Sequence, residues 1–260
     1  MHKILTKVAM AAVAVVGVST SAQAYVFMRL ADLNPVDATI QTQVACNTSM
    51  AQNNAAGGNC STTDGFAGYS LGTNTILFLG SVGNWNVSTT SGVANVPGTP
   101  LAATLDSSST SVVNKALVFD RFFIDFRGFD FLFPAGEDKT LFGTASHSTS
   151  TVVAGAPATV NTFFYADPMN GGGTTVADSC SMVLSTNASC NSGAPIVWSD
   201  VDLGTFSMRS QQFFNVNGGQ VINSTATVTV GAIPEPMTLS LVGAALLGAG
   251  LVSRRRAKKA

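Results

Sequence analysis

The chain has 260 residues, of which 46% are hydrophobic and 10% charged, with a formal net charge of −1. That apolar content excludes a wholly disordered chain, which would be poor in apolar side chains and carry a high net charge. The near-neutral total hides an asymmetry: residues 25–233 hold six basic and thirteen acidic side chains, a net charge of −7, which argues against nucleic acid as a partner, and against anionic polysaccharide unless a divalent cation bridges the two.

Residues 1–24 predict a cleavable secretory signal. Lys3 and Lys7 open it, Val8 to Val18 form an uncharged apolar run of 11 residues, and Ala22 and Ala24 supply the small residues that signal peptidase reads, with cleavage before Tyr25. Such a run, at about 1.5 Å per residue, is too short to cross a ~30 Å hydrocarbon core.

Residues 25–232 predict a β-rich exported passenger domain, because their Ser, Thr, Asn, Gly, Ala and Val suit strands and turns and give helices little support. Tyr25 to Leu33 is the first expected strand, and Asn34 to Gly68 an expected polar surface loop. Leu71 to Ser88 carries strand signals in Ile76-Leu77-Phe78-Leu79 and, after a Gly-Asn turn, in Trp85 and Val87. Thr89 to Ser111, rich in Ser, Thr, Pro and Gly, is an expected loop.

Lys115 to Pro134 holds the strongest pattern. Val118, Phe122, Ile124 and Phe126 share one parity, and past Gly128 the apolar set shifts to Phe129, Phe131 and Phe133, as a β-bulge or tight turn would produce. The interspersed Asp120, Arg121, Asp125, Arg127 and Asp130 are placed to pair with opposite charges across strands. Thr140 to Ser150 and Thr159 to Tyr165 are expected strands, and Asp167 to Thr175 a turn. Ile196 to Val201, Gly204 to Met208, Gln211 to Val216 and Gln220 to Val230 complete the set, with Gly218-Gly219 as a hairpin signal. About ten short strands with no amphipathic helix predict an all-β fold, an antiparallel sandwich of jelly-roll-like kind.

Residues 233–260 form a separate unit. Pro234-Glu235-Pro236 precedes a 16-residue apolar run, Met237 to Val252, and then Arg254-Arg255-Arg256-Ala257-Lys258-Lys259. As a helix the run would reach ~24 Å, and the basic cluster assigns its C-terminal end to the cytoplasmic side. The order of these elements resembles the PEP-CTERM sorting signal of exosortase substrates in Gram-negative bacteria, over Ile233 to Ala260. The resemblance implies a transient stay in the inner membrane, recognition by an exosortase-like membrane sorting enzyme, cleavage near Pro234-Glu235-Pro236, and transfer to the cell surface or extracellular matrix. It also implies a biofilm, floc or exopolysaccharide setting and a structural or adhesive role.

Within the passenger, Cys46, Cys60, Cys180 and Cys190 are the only cysteines. An even number outside the cytosol favours disulfides, and Cys46–Cys60 with Cys180–Cys190 is the favoured pairing because each pair brackets a short polar loop. The crossed pairings stay open. His147, in a Ser/Thr-rich run, is expected in an exposed loop without a catalytic role. Asp120 with Asp125, and Asp200 with Asp202, are the candidate carboxylate pairs for a glycosidase, which needs two about 5–9.5 Å apart. The sequence contains no P-loop or EF-hand pattern. No cofactor is expected, and calcium in an Asp-rich loop is the one ligand to test. The expected function is therefore that of a non-enzymatic surface or matrix protein. A carbohydrate-binding module, with Trp85, Trp198 and Tyr165 as the aromatics to check, and a secreted hydrolase are the alternatives.

Overall fold

The computed structural model describes residues 25–48, 59–62, 68–71, 74–96, 98–99, 102–116, 118–132, 134, 138–149, 158–173, 175–184, 187–199 and 204–233. Among them are fifteen strands and no helix. The first seven are β1 (Val26–Leu33), β2 (Ile40–Asn47), β3 (Asn59–Thr62), β4 (Gly68–Leu71), β5 (Thr75–Val82), β6 (Trp85–Ala94) and β7 (Ala102–Asn114). The rest are β8 (Asp120–Phe131), β9 (Asp138–Thr149), β10 (Ala158–Asp167), β11 (Val176–Leu184), β12 (Asn187–Asn191), β13 (Ile196–Ser199), β14 (Phe206–Val216) and β15 (Val221–Ala232).

All pairings are antiparallel, and they make two sheets. One sheet has seven strands in the order β11-β10-β14-β8-β1-β2-β3; the other has eight in the order β12-β9-β15-β7-β6-β5-β4, with β13 also on β9. A single apolar core drawn from both sheets lies between them, so the architecture is the expected antiparallel sandwich.

Several boundaries differ from the sequence reading. The expected loop over 34–68 contains β2 and β3, and the expected loop over 89–111 contains the end of β6 and most of β7. In β7 the inward positions include Ala103, Ser107 and Ser109 as well as the apolar Leu105 and Val112, so small and polar residues interrupt the apolar alternation. The buried hydroxyls are paired: Thr90 Oγ1 and Ser109 Oγ lie 3.0 Å apart, and Gln212 Nε2 reaches from the other sheet to Ser107 Oγ at 2.9 Å. Ser224 Oγ donates to Gln212 Oε1. These bonds satisfy polar groups that would otherwise penalise burial.

Gly218-Gly219 does form a turn, with Gly219 at φ 75°, but the turn is not a hairpin. It joins β14 in the seven-stranded sheet to β15 in the eight-stranded sheet. The expected separate strands over 204–208 and 211–216 merge into β14. In β8 the expected irregularity is present: Phe206 pairs with Phe131 and Met208 with Gly128, so β8 holds one extra residue. The positive φ falls on Asp130 (62°) rather than on the glycine. Gly128 serves packing instead, because a Cβ there would lie 2.8 Å from the Phe131 ring.

The two sheets interlock by size. The Phe126 ring from β8 fills the space above Gly92 in β6, where a Cβ would come within 1.7 Å of it, and the Phe164 ring from β10 covers Gly143 in β9 at 2.1 Å. Cys180 in β11 and Cys190 in β12 form the expected disulfide, with Cα atoms 6.1 Å apart, and it joins edge strands of opposite sheets. Cys46 is also disulfide-bonded, and Cys60 is its direct register partner across β2 and β3. Over-packing a filled core costs typically about 1–3 kcal/mol. Gly143→Ala is therefore expected to lower the unfolding midpoint in a thermal or denaturant titration, and Phe164→Leu in the same chain to recover part of the loss. Unchanged stability in Gly143→Ala would show that the two sheets do not meet there.

Candidate functional site

The sorting-signal residues Pro234, Glu235, Pro236, Arg254, Arg255 and Arg256, the apolar run over 237–252, and the signal-peptidase residues Ala22 and Ala24 lie outside the described residues. Among the described residues no helix is long and apolar enough to cross a membrane, and no group of three or more His, Cys, Asp or Glu side chains is placed to hold a metal ion.

The candidate catalytic residues do not assemble. Asp120 and Asp125 are five positions apart on β8 and so point to opposite faces. Asp120 faces inward and accepts from Asn84 Nδ2 at 3.1 Å. Asp200 and Asp202 lie outside the described residues. Asp167 is buried in the 167–175 turn, where its carboxylate accepts from the amides of Met169, Gly171 and Gly173 at 3.0, 3.1 and 2.8 Å. His147 is not in an exposed loop: it is an inward residue of β9, 1% exposed, with Nε2 3.2 Å from Thr162 Oγ1 and Nδ1 buried without a partner. Of the aromatics to check, Trp85 and Trp198 are buried in the core, and only Tyr165 is half-exposed.

Tyr165 belongs to a patch on the outer face of the seven-stranded sheet. Register sets four rows across β10, β14, β8 and β1: Tyr165, Arg209, Arg127 and Phe27; Phe163, Gln211, Asp125 and Arg29; Asn161, Phe213, Phe123 and Ala31; Thr159, Asn215, Arg121 and Leu33. Four of the six basic residues of 25–233 are therefore on this face, and Asp125 is the one acidic side chain in those rows. Asp125 has no solvent exposure. Arg209 grips both of its oxygens, Nε to Oδ1 at 2.7 Å and Nη2 to Oδ2 at 2.9 Å, and Arg127 Nη2 reaches Oδ2 at 2.6 Å. Each guanidinium also lies over a ring: Arg127 over Phe27 at 5.2 Å and Arg209 over Tyr165 at 5.8 Å. Burial raises the Tyr165 pKa above the usual phenol value, with Arg209 opposing and Asp125 adding to the rise, so the hydroxyl stays protonated and able to donate.

Beside this clamp lies an open groove of about 380 Å³, lined among others by Leu33, Arg121, Asn161, Phe163, Phe213 and Asn215. Phe213 packs edge-on to Phe163 at 5.8 Å and against Phe123 at 4.6 Å. Asn161 Oδ1 accepts from Ser181 Oγ at 2.6 Å, and Asn215 Nδ2 donates to Thr159 Oγ1 at 3.0 Å. Those bonds leave the Asn161 amide nitrogen and the Asn215 amide oxygen for a ligand. Arg121 Nε is buried without a hydrogen-bond partner. The sequence reading missed Phe163, Phe213 and both asparagines, although the shared parity of Asn161, Phe163 and Tyr165 in a strand was the available signal.

No family model matches the chain, and no curated relative does either. Solved structures share a distant likeness. The structure of infectious bursal disease virus, Gx strain, aligns at 8% identity and TM-score 0.29, covering 82% of this chain and 52% of that one. That of the Gt strain aligns at 10% and 0.27, covering 80% and 55%. A structure described as a carbohydrate-binding module of the β-sandwich superfamily aligns at 14% and 0.21, covering 81% and 83%. The chain thus spans about half the length of the two viral structures, and likeness at this level carries no functional argument.

Burial keeps His147 neutral in the fold and pushes its pKa down from 6.5 to about 4. Between those values the unfolded chain binds the proton and the folded chain does not, so stability is full above about pH 6.5 and falls as pH drops towards 4. A shift of this size amounts to roughly 3 kcal/mol. Denaturant unfolding of His147→Leu is expected to show a flatter stability profile between pH 6.5 and 4 than the unaltered chain. Equal slopes would contradict this.

Proposed function

We propose that the chain is an exported cell-surface or extracellular-matrix protein, delivered through its C-terminal sorting signal, whose β-sandwich is a glycan-binding, adhesive passenger. The observation that carries the passenger's role is the groove on the outer face of the seven-stranded sheet, where aromatic rings, two amides and an arginine meet solvent together. Sugars are bound by this kind of surface: apolar ring faces stack on aromatic side chains, and a few fixed polar groups orient the hydroxyls. The Cys180–Cys190 disulfide between the sheets fits an oxidising compartment, and the signals at the two ends of the sequence supply the route there.

Two measurements test the two halves of this reading. Removing residues 234–260 is expected to shift the protein from the cell and matrix fraction to the medium; unchanged fractionation would contradict sorting through that segment. Beads carrying the host's exopolysaccharide are expected to retain the full chain, and Phe163→Ala to weaken retention several-fold while leaving the unfolding midpoint little changed. Retention that is absent, or indifferent to Phe163, would contradict the assignment of the face.

A further inference from the structure

We infer that the groove takes a carboxylated polysaccharide, with a hexuronate carboxylate on the Arg121 guanidinium and its sugar ring against Phe213 and Phe163; this rests on the glycan-binding reading and names the ligand class. Three of the four outer-face arginines have partners: Arg127 and Arg209 share Asp125, and Arg29 Nε donates to Gln43 Oε1 at 2.8 Å. Arg121 differs. Among the described residues its guanidinium has no carboxylate partner and only the half-exposed Phe119 ring beneath it at 5.9 Å, while its Nε is buried and unpaired. Arg121 is only partly buried and lines the groove, and a planar guanidinium beside open space is best completed by a carboxylate that takes two parallel bonds on its Nη edge.

Asp37, at the β1–β2 turn beside the lining residue Ala38, does not serve as that acceptor. Its Oδ1 accepts from the Thr39 amide at 3.0 Å and from the Thr39 hydroxyl at 2.7 Å. Four arginines against one aspartate leave these rows net positive on a passenger that is otherwise acidic. A negatively charged chain is therefore drawn to this face without a bridging cation. Register also favours a glycan over an extended peptide. The strands β10, β14, β8 and β1 are all paired on both sides, so the face offers no free backbone edge for strand addition, and recognition falls to side chains.

The test uses the full chain in detergent micelles with EDTA present, titrated with polygalacturonate, its fully methyl-esterified form and poly-L-glutamate. Polygalacturonate is expected to bind, and both methyl esterification and Arg121→Gln to weaken binding by at least about tenfold, with the unfolding midpoint of the variant preserved. Asn161→Ala, at the groove's rim, is a second variant expected to weaken binding. Equal affinity for poly-L-glutamate, or full affinity in both variants, would overturn the inference. Equal affinity for the methyl ester would overturn the uronate assignment and leave glycan binding standing. Failure to bind any of these polymers or the host's exopolysaccharide would remove both.

Discussion

Asp125 imposes the constraint on which the outer face depends. It projects from the solvent side of a central strand and yet has no solvent exposure. A carboxylate desolvated in this way must be matched by opposite charge and hydrogen bonds, and removing one partner of a buried pair typically costs about 3–5 kcal/mol. Arg209, from the neighbouring strand, and Arg127, two residues along β8, supply four bonds between them. To reach Asp125 they lie along the sheet, and there each guanidinium comes to rest near a ring, Phe27 for one and Tyr165 for the other. A single acidic residue thus gathers two cations and two aromatic rings. Strand β8 is consequently buried on both faces over Phe122 to Phe126.

The inner face is organised by size rather than by charge. Phe126 and Phe164 enter spaces left by Gly92 and Gly143, which lets two broad sheets approach closely without a void. The cross-sheet Gln212 network and the Cys180–Cys190 bridge tie the sheets at the centre and at one edge. With the scaffold fixed from inside, the outer rows hold their side chains on interior strands rather than on loops, and a binding surface gains precision from such support. The groove at Arg121 lies two rows from the Asp125 clamp, on the same rigid strands.

The class of fold was legible, and so was its strongest strand, because Phe122, Ile124 and Phe126 alternate cleanly and a bulge follows Gly128. The Cys180–Cys190 pairing was legible from spacing. The strands β2 and β7 were not: β2 buries only Val44 and Cys46 within a polar stretch, and β7 buries Ser107 and Ser109, whose hydroxyls are hydrogen-bonded. Topology was hidden as well: β14 and β15 are separated by four residues yet belong to different sheets, so local turn chemistry could not reveal the crossing. The same holds for the groove. Arg121, Asn161 and Phe213 are far apart in sequence, and only the order β10-β14-β8 brings them together. His147 looked exposed because its neighbours are Ser and Thr, but strand parity turns it inward.

A net negative charge over residues 25–233 disfavours an anionic partner for the domain as a whole, yet the register concentrates four of its six cations on one face. The proposal of a displayed sandwich that holds glycan by its outer face rests on that concentration of cations and aromatic rings. Hydroxyl-radical footprinting of the full chain, with and without polygalacturonate, tests that claim most directly. The account expects protection of Phe163, Tyr165 and Phe213 and none of Leu77 and Leu79, which are exposed on the eight-stranded sheet. Protection of the leucines alone, or of no side chain on either sheet, would contradict it.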